Sequence, residues 1–323
     1  MPYAWHELPS AKELPFPHRL FGWWIKNGVK RTTGGVYGGN KLFSLVRAFY
    51  NICPWINDFA IVRAWNDRFS IAVDLLDFEV PHHTLPLSTG SNDESRLLQS
   101  LFPPGGTFFD VGANYGFYAL MASHIGGPKS NVCAFEPQPR LSEALRRSKQ
   151  ANQFGQLRLF EMALGAQDGT ADFFIPDTGS GVGSVLREHA SQTRPVRQTT
   201  VTIATLDSVF SKENLCRLDV IKIDVEGAEL AVLKGARETL GRLHPFVWFE
   251  MNPSAQSAAG HDQEDIYALL ESLGYEEFFD VADFVRGIRR PIRTVDTLTN
   301  VLALPGKAKL TSYSVAKEET VSL

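Results

Sequence analysis

Cysteine is scarce in this chain. Cys53, Cys133 and Cys216 are the only three in 323 residues. Their spacing fits no zinc motif, and Cys133 falls in an apolar run that reads as a core strand. Reduced, structural thiols are expected, which favours a reducing compartment and a cytoplasmic location. Long hydrophobic runs are missing, so no segment reads as spanning a bilayer. The N-terminus, Met1-Pro2-Tyr3-Ala4-Trp5-His6-Glu7, lacks the basic-then-apolar order of a secretory signal. Excess positive charge is missing as well. The formal net charge is −4, which argues against nucleic acid as a partner. There is no internal repeat and no long low-complexity tract. No set of ligands demands a metal, although acids at the site described below leave room for a divalent ion.

What is present suffices for one large α/β domain with an N-terminal addition, since 44% of residues are hydrophobic and 21% charged. The organising stretch is Gly106 to Phe117. Thr107 to Val111 reads as a short strand buried on both faces, with Asp110 near its carboxyl end. Gly112 and Gly116 allow a tight turn, and a helix follows from Phe117 to Ile125. In open α/β sheets, ligands lie outside the carboxyl ends of the strands. A dinucleotide fingerprint would need glycine at positions 112, 114 and 117, but the chain has Gly112, Asn114 and Phe117. NAD is therefore disfavoured. S-adenosylmethionine fits better because it carries no phosphate. Asp110 and Asn114 could receive its ammonium, directly or through water, and turn N–H groups its carboxylate. Alone, the turn could equally be a plain connection.

The next strand, Asn131 to Phe135, ends at Glu136-Pro137. A carboxylate about 20 residues past the glycine turn is where a ribose is gripped. A further strand, Leu157 to Phe160, leads to Ala163, small enough for an adenine ring to lie against. Strand Ala171 to Pro176 leads into a Gly/Ser loop that ends at Ser184, either a contact to the substrate or part of a plain hairpin.

Asp219 to Glu229 is the second informative stretch. Lys222 lies in a strand covered on both faces, so it should meet a carboxylate. Asp224 stands at the strand's carboxyl end beside the expected cofactor. Glu226 and Glu229 open a helix, where acids also suit the macrodipole. Glu250 ends a later strand at the same edge. Ser254 to Asp262 reads as a small polar loop. Asp283 to Thr299, rich in arginine, reads as a long hairpin connection between the last two strands.

Before residue 69, Phe21, Trp23, Trp24 and Ile25 interleave with Arg19, Lys26, Lys30 and Arg31. This segment could touch a membrane surface peripherally or hold an acceptor, or it could pack on the main domain as a lid. His82 and His83 lack companion ligands and read as surface residues.

Several motifs occur together and in order: Asp-Val-Gly-Ala-Asn-Tyr-Gly at 110–116, Phe-Glu-Pro at 135–137, Ala-Leu-Gly at 163–165, Thr-Leu-Asp at 205–207 and Ile-Lys-Ile-Asp-Val-Glu-Gly-Ala-Glu at 221–229. In combination they resemble FkbM-type methyltransferases, enzymes that use S-adenosylmethionine and typically O-methylate sugars or natural products. The resemblance spans roughly residues 69–305. It implies a Rossmann-like α/β fold, the seven-stranded class I methyltransferase sheet with a final antiparallel strand, here with an N-terminal extension. The expected division is an extension over 1–90, the methyltransferase domain over 91–306 and a tail over 307–323. The expected cofactor contacts are Asp110, Gly112, Asn114, Tyr115, Gly116, Glu136, Pro137, Ala163 and Asp224. Ser184 falls where the family often carries a serine. For in-line methyl transfer to a hydroxyl, Asp224 is the first candidate base, followed by Glu226 and Glu250, with Lys222 beside them. The expected partner is a small-molecule or glycan acceptor. A catalytically silent cofactor-binding or scaffold module is the alternative.

Overall fold

In the computed structural model, residues 59–65, 67–74, 92–176, 183–185 and 196–306 are described. The basic-aromatic segment, His82, His83, Cys53, most of the Gly/Ser loop and the C-terminal tail lie outside the described residues. Two strands, β1 (Phe59–Ala64) and β2 (Phe69–Asp74), pair as an antiparallel hairpin. Phe69 and Ile71 are fully buried, so the hairpin packs into the main core although it precedes residue 91.

Helix α1 (Asp93–Leu101) leads to β3 (Thr107–Val111), and α2 (Phe117–Gly126) to β4 (Asn131–Phe135). Helix α3 (Pro139–Asn152) then leads to β5 (Leu157–Phe160). Two α3 side chains fasten the hairpin: the Ala72 amide donates to Ser148 Oγ at 2.8 Å and the Ser70 amide to Asn152 Oδ1 at 2.7 Å. Strands β6 (Ala163–Leu164), β7 (Gly169–Pro176) and β8 (Val196–Ala204) form a separate three-stranded sheet with β8 in the middle. After α4 (Leu206–Lys212) come β9 (Val220–Ile223), α5 (Glu229–Lys234), α6 (Arg237–Leu243) and β10 (Phe246–Met251). The described chain closes with α7 (Pro253–Ala258), α8 (Gln263–Ser272), β11 (Tyr275–Asp280), α9 (Val281–Val285) and β12 (Thr299–Pro305).

The main sheet has seven strands in the order β11-β12-β10-β9-β3-β4-β5. Strand β12 runs antiparallel to both its neighbours, while β5, β4, β3, β9 and β10 pair in parallel. The carboxyl ends of β3, β4, β9 and β10 therefore share one edge, joined there by the start of β12. The strand order reverses between β3 and β9, where open α/β sheets form a crevice. Both sheet faces are covered. Phe108, Val220, Trp248 and Leu302 pack on one side, and Phe109, Ile221, Val247 and Ala303 on the other. Burying a side chain of this size contributes about 1.5–3 kcal/mol.

Two connections differ from the sequence reading. Residues 254–262 were expected to be a loop, but α7 occupies Pro253–Ala258. Asn252 caps it by accepting from the Ala255 amide at 3.3 Å, and Pro253 takes the first turn, where it lacks no needed donor. The connection from β11 to β12 is also not a simple hairpin. Asp280 accepts from the Asp283 amide at 2.9 Å and starts α9 before the arginine-rich stretch.

Candidate active site

The β3 turn forms the floor of the crevice. The Gly112 and Ala113 amides both donate to the Phe135 carbonyl, at 3.1 and 3.0 Å, tying the turn to the end of β4. Gly112 has φ +79°, and a Cβ there would lie 1.8 Å from the Asp224 carbonyl oxygen. Only glycine lets the two loop backbones approach so closely. Asn114, at φ 53°, continues the turn in the left-handed region that asparagine tolerates better than most residues.

Glu136 is 3% exposed and braces this turn. Its Oε2 accepts from the Asn114 amide at 2.8 Å and its Oε1 from the Gln138 amide at 2.9 Å. Burial pushes its pKa up to about 7 against the pull of those two donors. Each carboxylate oxygen can accept a second hydrogen bond, which leaves capacity for a diol.

A cavity of about 330 Å³ opens above the turn. Gly112, Asn114, Tyr115, Glu136, Pro137 and Ala163 line it, together with Lys222, Asp224, Glu226 and Glu250. Thus most of the residues singled out from sequence converge. Asp110, Gly116 and Ser184 do not line it. Asp110 points beneath α2, where its Oδ2 accepts from the Ala119 amide at 2.9 Å. Helix α2 begins after Gly116, which has no side chain to cap it, so Asp110 satisfies one of its open amides. Burial pushes the pKa of Asp110 up to about 6, with Lys222 opposing. A Cβ at Gly116 would meet Leu145 Cδ1 at 2.1 Å, so this glycine serves helix packing. Ser184 is buried, and its hydroxyl donates to the Glu226 carbonyl at 3.1 Å.

Lys222 is 4% exposed and its Nζ lies 2.7 Å from Asp224 Oδ2. The rings of Tyr118 and Trp248 flank the ammonium, with centroids at 5.2 and 5.5 Å. Burial pulls the lysine pKa down, but Asp224, Asp110 and Glu250 together hold it above its ordinary value. Carboxylate oxygens of Asp224, Glu226 and Glu250 all lie within 4.8 Å of one another. The fold therefore gathers three potential metal ligands that linear spacing did not suggest. Glu250 Oε2 is buried without a hydrogen-bond partner. Burial, then Asp224, Glu226 and Glu229, drive the Glu250 carboxyl well above the usual carboxylate range.

Glu226 also has positive φ, 53°. Glu229 holds this turn: its Oε1 accepts from the Val225 and Gly227 amides at 3.1 and 3.2 Å. Burial pushes the pKa of Glu229 up to about 7. Cys133 is buried in β4 with its thiol pushed up to about 12 by burial, whereas Cys216 is exposed.

Residues 110–277, more than half the chain, match the family described as the methyltransferase FkbM domain. The chain belongs to the FkbM methyltransferase family. It is 30% identical over 205 residues to the 2-O-methyltransferase NoeI of Sinorhizobium fredii, covering 60% of this chain and 80% of that protein. It is 31% identical over 188 residues to the hexuronic acid methyltransferase AglP of Haloferax volcanii, covering 56% and 68%. A solved FkbM methyltransferase from Methylobacillus flagellatus aligns with a TM-score of 0.40 at 15% identity, over 80% of this chain and 60% of that one.

This FkbM chain is thus a methyltransferase, with S-adenosylmethionine as its methyl donor. The cavity fits that molecule in kind. It has a closely approached glycine turn, a buried acid with spare acceptor capacity, and an apolar wall that includes Phe135 and Leu164. The sequence reading missed Tyr118 and Trp248, which enclose Lys222. Their aromatic character is visible, but no local pattern brings α2 and β10 together around the lysine. No described helix is long and apolar enough to cross a membrane.

Proposed function

We propose that this FkbM methyltransferase methylates a hydroxyl oxygen on a sugar or natural-product acceptor. The observation that carries the reading is that Asp224, Glu226 and Glu250 line the same cavity as Gly112 and Glu136. The names of two relatives, a 2-O-methyltransferase and a hexuronic acid methyltransferase, point the same way.

Gly112, Asn114 and Tyr115 would receive the amino-acid part of the donor, Glu136 and Pro137 its ribose, and Ala163 with Leu164 its base. When bound, S-adenosylmethionine supplies an electrophilic methyl group. An alcohol must lose its proton as it attacks, so a base has to stand near the acceptor oxygen. Asp224 is assigned that role. Lys222 fixes the orientation of its carboxylate, while the protein walls hold the acceptor oxygen against the reacting carbon. Glu250 enters the reaction protonated, because its pKa is raised, and serves as a hydrogen-bond donor to the acceptor. Glu226 flanks both. Asp110 acts behind this surface by holding the start of α2, and Ser184 by holding the Glu226 carbonyl.

Incubation of a cell extract with the protein and isotopically labelled S-adenosylmethionine, read by mass spectrometry, tests the activity. A labelled O-methyl product is expected. An Asp224→Ala variant should still bind the donor and lose turnover; full turnover by that variant would remove Asp224 from the base role. Donor binding with no labelled product in any extract would favour a silent binding module.

A further inference from the structure

The turn between β9 and α5 carries Glu226 to the cavity wall with two successive positive φ angles, 53° at Glu226 and 98° at Gly227. Glycine adopts such a φ freely, but glutamate rarely does. Side chains from three places hold the turn there. Glu229 Oε1, at the start of α5, accepts from the Val225 and Gly227 amides. The Ser184 hydroxyl donates to the Glu226 carbonyl, and Ser184 is itself tied to β7 by two backbone bonds with Phe174, at 2.8 and 3.1 Å. Ahead of α8, His261 Nε2 lies 3.3 Å from the Gly227 carbonyl. Glu229 is the buried member that the proposed mechanism leaves unused. It is 1% exposed, and its Oε2 is buried with no hydrogen-bond partner. Burying a carboxylate in this way is costly, and a plain connection would not require it. Both amides it accepts from precede α5, so it serves the turn and not only the helix macrodipole.

We propose that Glu229 is a positioning residue for methyl transfer. It clamps the turn so that the Glu226 carboxylate stands beside Asp224 and Glu250, where the acceptor is held. The proposal rests on the hydroxyl-methylating reading given above. Glu229 does not line the cavity, so it acts through Glu226. Asp224 is anchored separately, by its amide on the Val111 carbonyl at 3.0 Å and by Lys222 on its carboxylate. Loss of the clamp therefore displaces Glu226 first. A misplacement of about 1 Å in a reacting assembly can cost about a hundredfold in rate. The donor contacts at Gly112, Asn114 and Glu136 lie on the turns after β3 and β4, so donor affinity should not follow the rate.

The test uses the full chain. Donor-site binding is read by calorimetry with S-adenosylhomocysteine, and turnover as the initial rate of label transfer from S-adenosylmethionine into a cell extract. Glu229→Met fills the space but accepts no hydrogen bond, whereas Glu229→Gln keeps one oxygen for the two amides. Glu229→Met should lower the rate by about 10- to 100-fold with affinity within about threefold of wild type, and Glu229→Gln should recover most of the rate. In a Glu226→Ala background, Glu229→Met should cost less than about threefold more, because the two residues act as a unit. Ser184→Ala, which frees the same turn from its other side, should lose about tenfold and decides the question if Glu229→Met does not fold. Full turnover by the deciding variant, equal losses in the Met and Gln variants, a fall in affinity as large as the fall in rate, or a full further loss in the Glu226→Ala background would each overturn the positioning role alone. No label transfer by wild-type protein that binds S-adenosylhomocysteine would overturn the underlying reading with it.

Discussion

Replacing Lys222 by methionine removes one buried charge and little volume. In the native protein this ammonium sits 2.7 Å from Asp224 Oδ2, with Asp110 and Glu250 also acting on it. At that separation the gross attraction is about 6 kcal/mol with an effective dielectric of about 20. The variant also escapes the cost of burying the ammonium, so the net loss is smaller. Breaking a fully buried pair typically costs about 3–5 kcal/mol, but the Asp224 side chain is 36% exposed and can take up water, so the loss here is smaller. Protonation should relieve the loss. Asp110, with its pKa raised to about 6, is ionised at pH 8 and neutral at pH 5, where it needs no counter-ion; Glu250, already protonated, does not change. Urea denaturation of the wild type and Lys222→Met at pH 8 and pH 5 reads both effects. A loss of about 1.5–3 kcal/mol at pH 8, reduced at pH 5, is expected. A loss below about 1 kcal/mol at pH 8, or an equal loss at both pH values, would refute the reasoning.

Gly112→Ala places a methyl against the Asp224 carbonyl in a left-handed turn, so calorimetry should find donor binding abolished and thermal melting a loss of about 2 kcal/mol or more. Glu136→Gln turns an amide N–H₂ towards one of the two backbone donors that the carboxylate now accepts, Asn114 or Gln138. Donor affinity should fall, and stability by about 1–3 kcal/mol; unchanged affinity would remove the ribose role. Asp110, Glu136 and Glu229 hold protons in the folded chain that the unfolded chain has released, since their pKa values are raised to about 6, 7 and 7. Stability of the donor-free protein should therefore fall as pH rises from about 5 to 8, with a slope of up to about 1.4 kcal/mol per pH unit for each group while it titrates. Rising stability over that window would contradict these assignments.

The strands of the main sheet were legible because each is a short apolar run bounded by Gly, Pro or acidic residues, as Asn131 to Phe135 shows. The crevice was legible for the same reason, since Gly112, Glu136 and Asp224 all stand at strand ends. Lys222 announced a partner simply by being a cation inside an apolar strand, and Asp224 supplies one. What escaped depended on direction or on distant elements. Asp110 is one residue short of the strand end, and alternation turns it under α2 rather than into the cavity. The cage around Lys222 comes from α2 and β10, and no local pattern joins Tyr118 to Trp248. The cluster of Asp224, Glu226 and Glu250 forms only because β9 and β10 lie side by side. Helix α7 is a different case. Its signal, Asn252-Pro253, was present, but the small polar residues after it outweighed the cap in the reading.

The most direct measurement is a crystal structure with S-adenosylhomocysteine, the demethylated donor. The account predicts its ribose hydroxyls on Glu136, its base beside Ala163 and Leu164, and its sulfur facing Asp224 and Glu250. A ligand seated elsewhere, or one whose sulfur faces away from those two acids, would contradict the account.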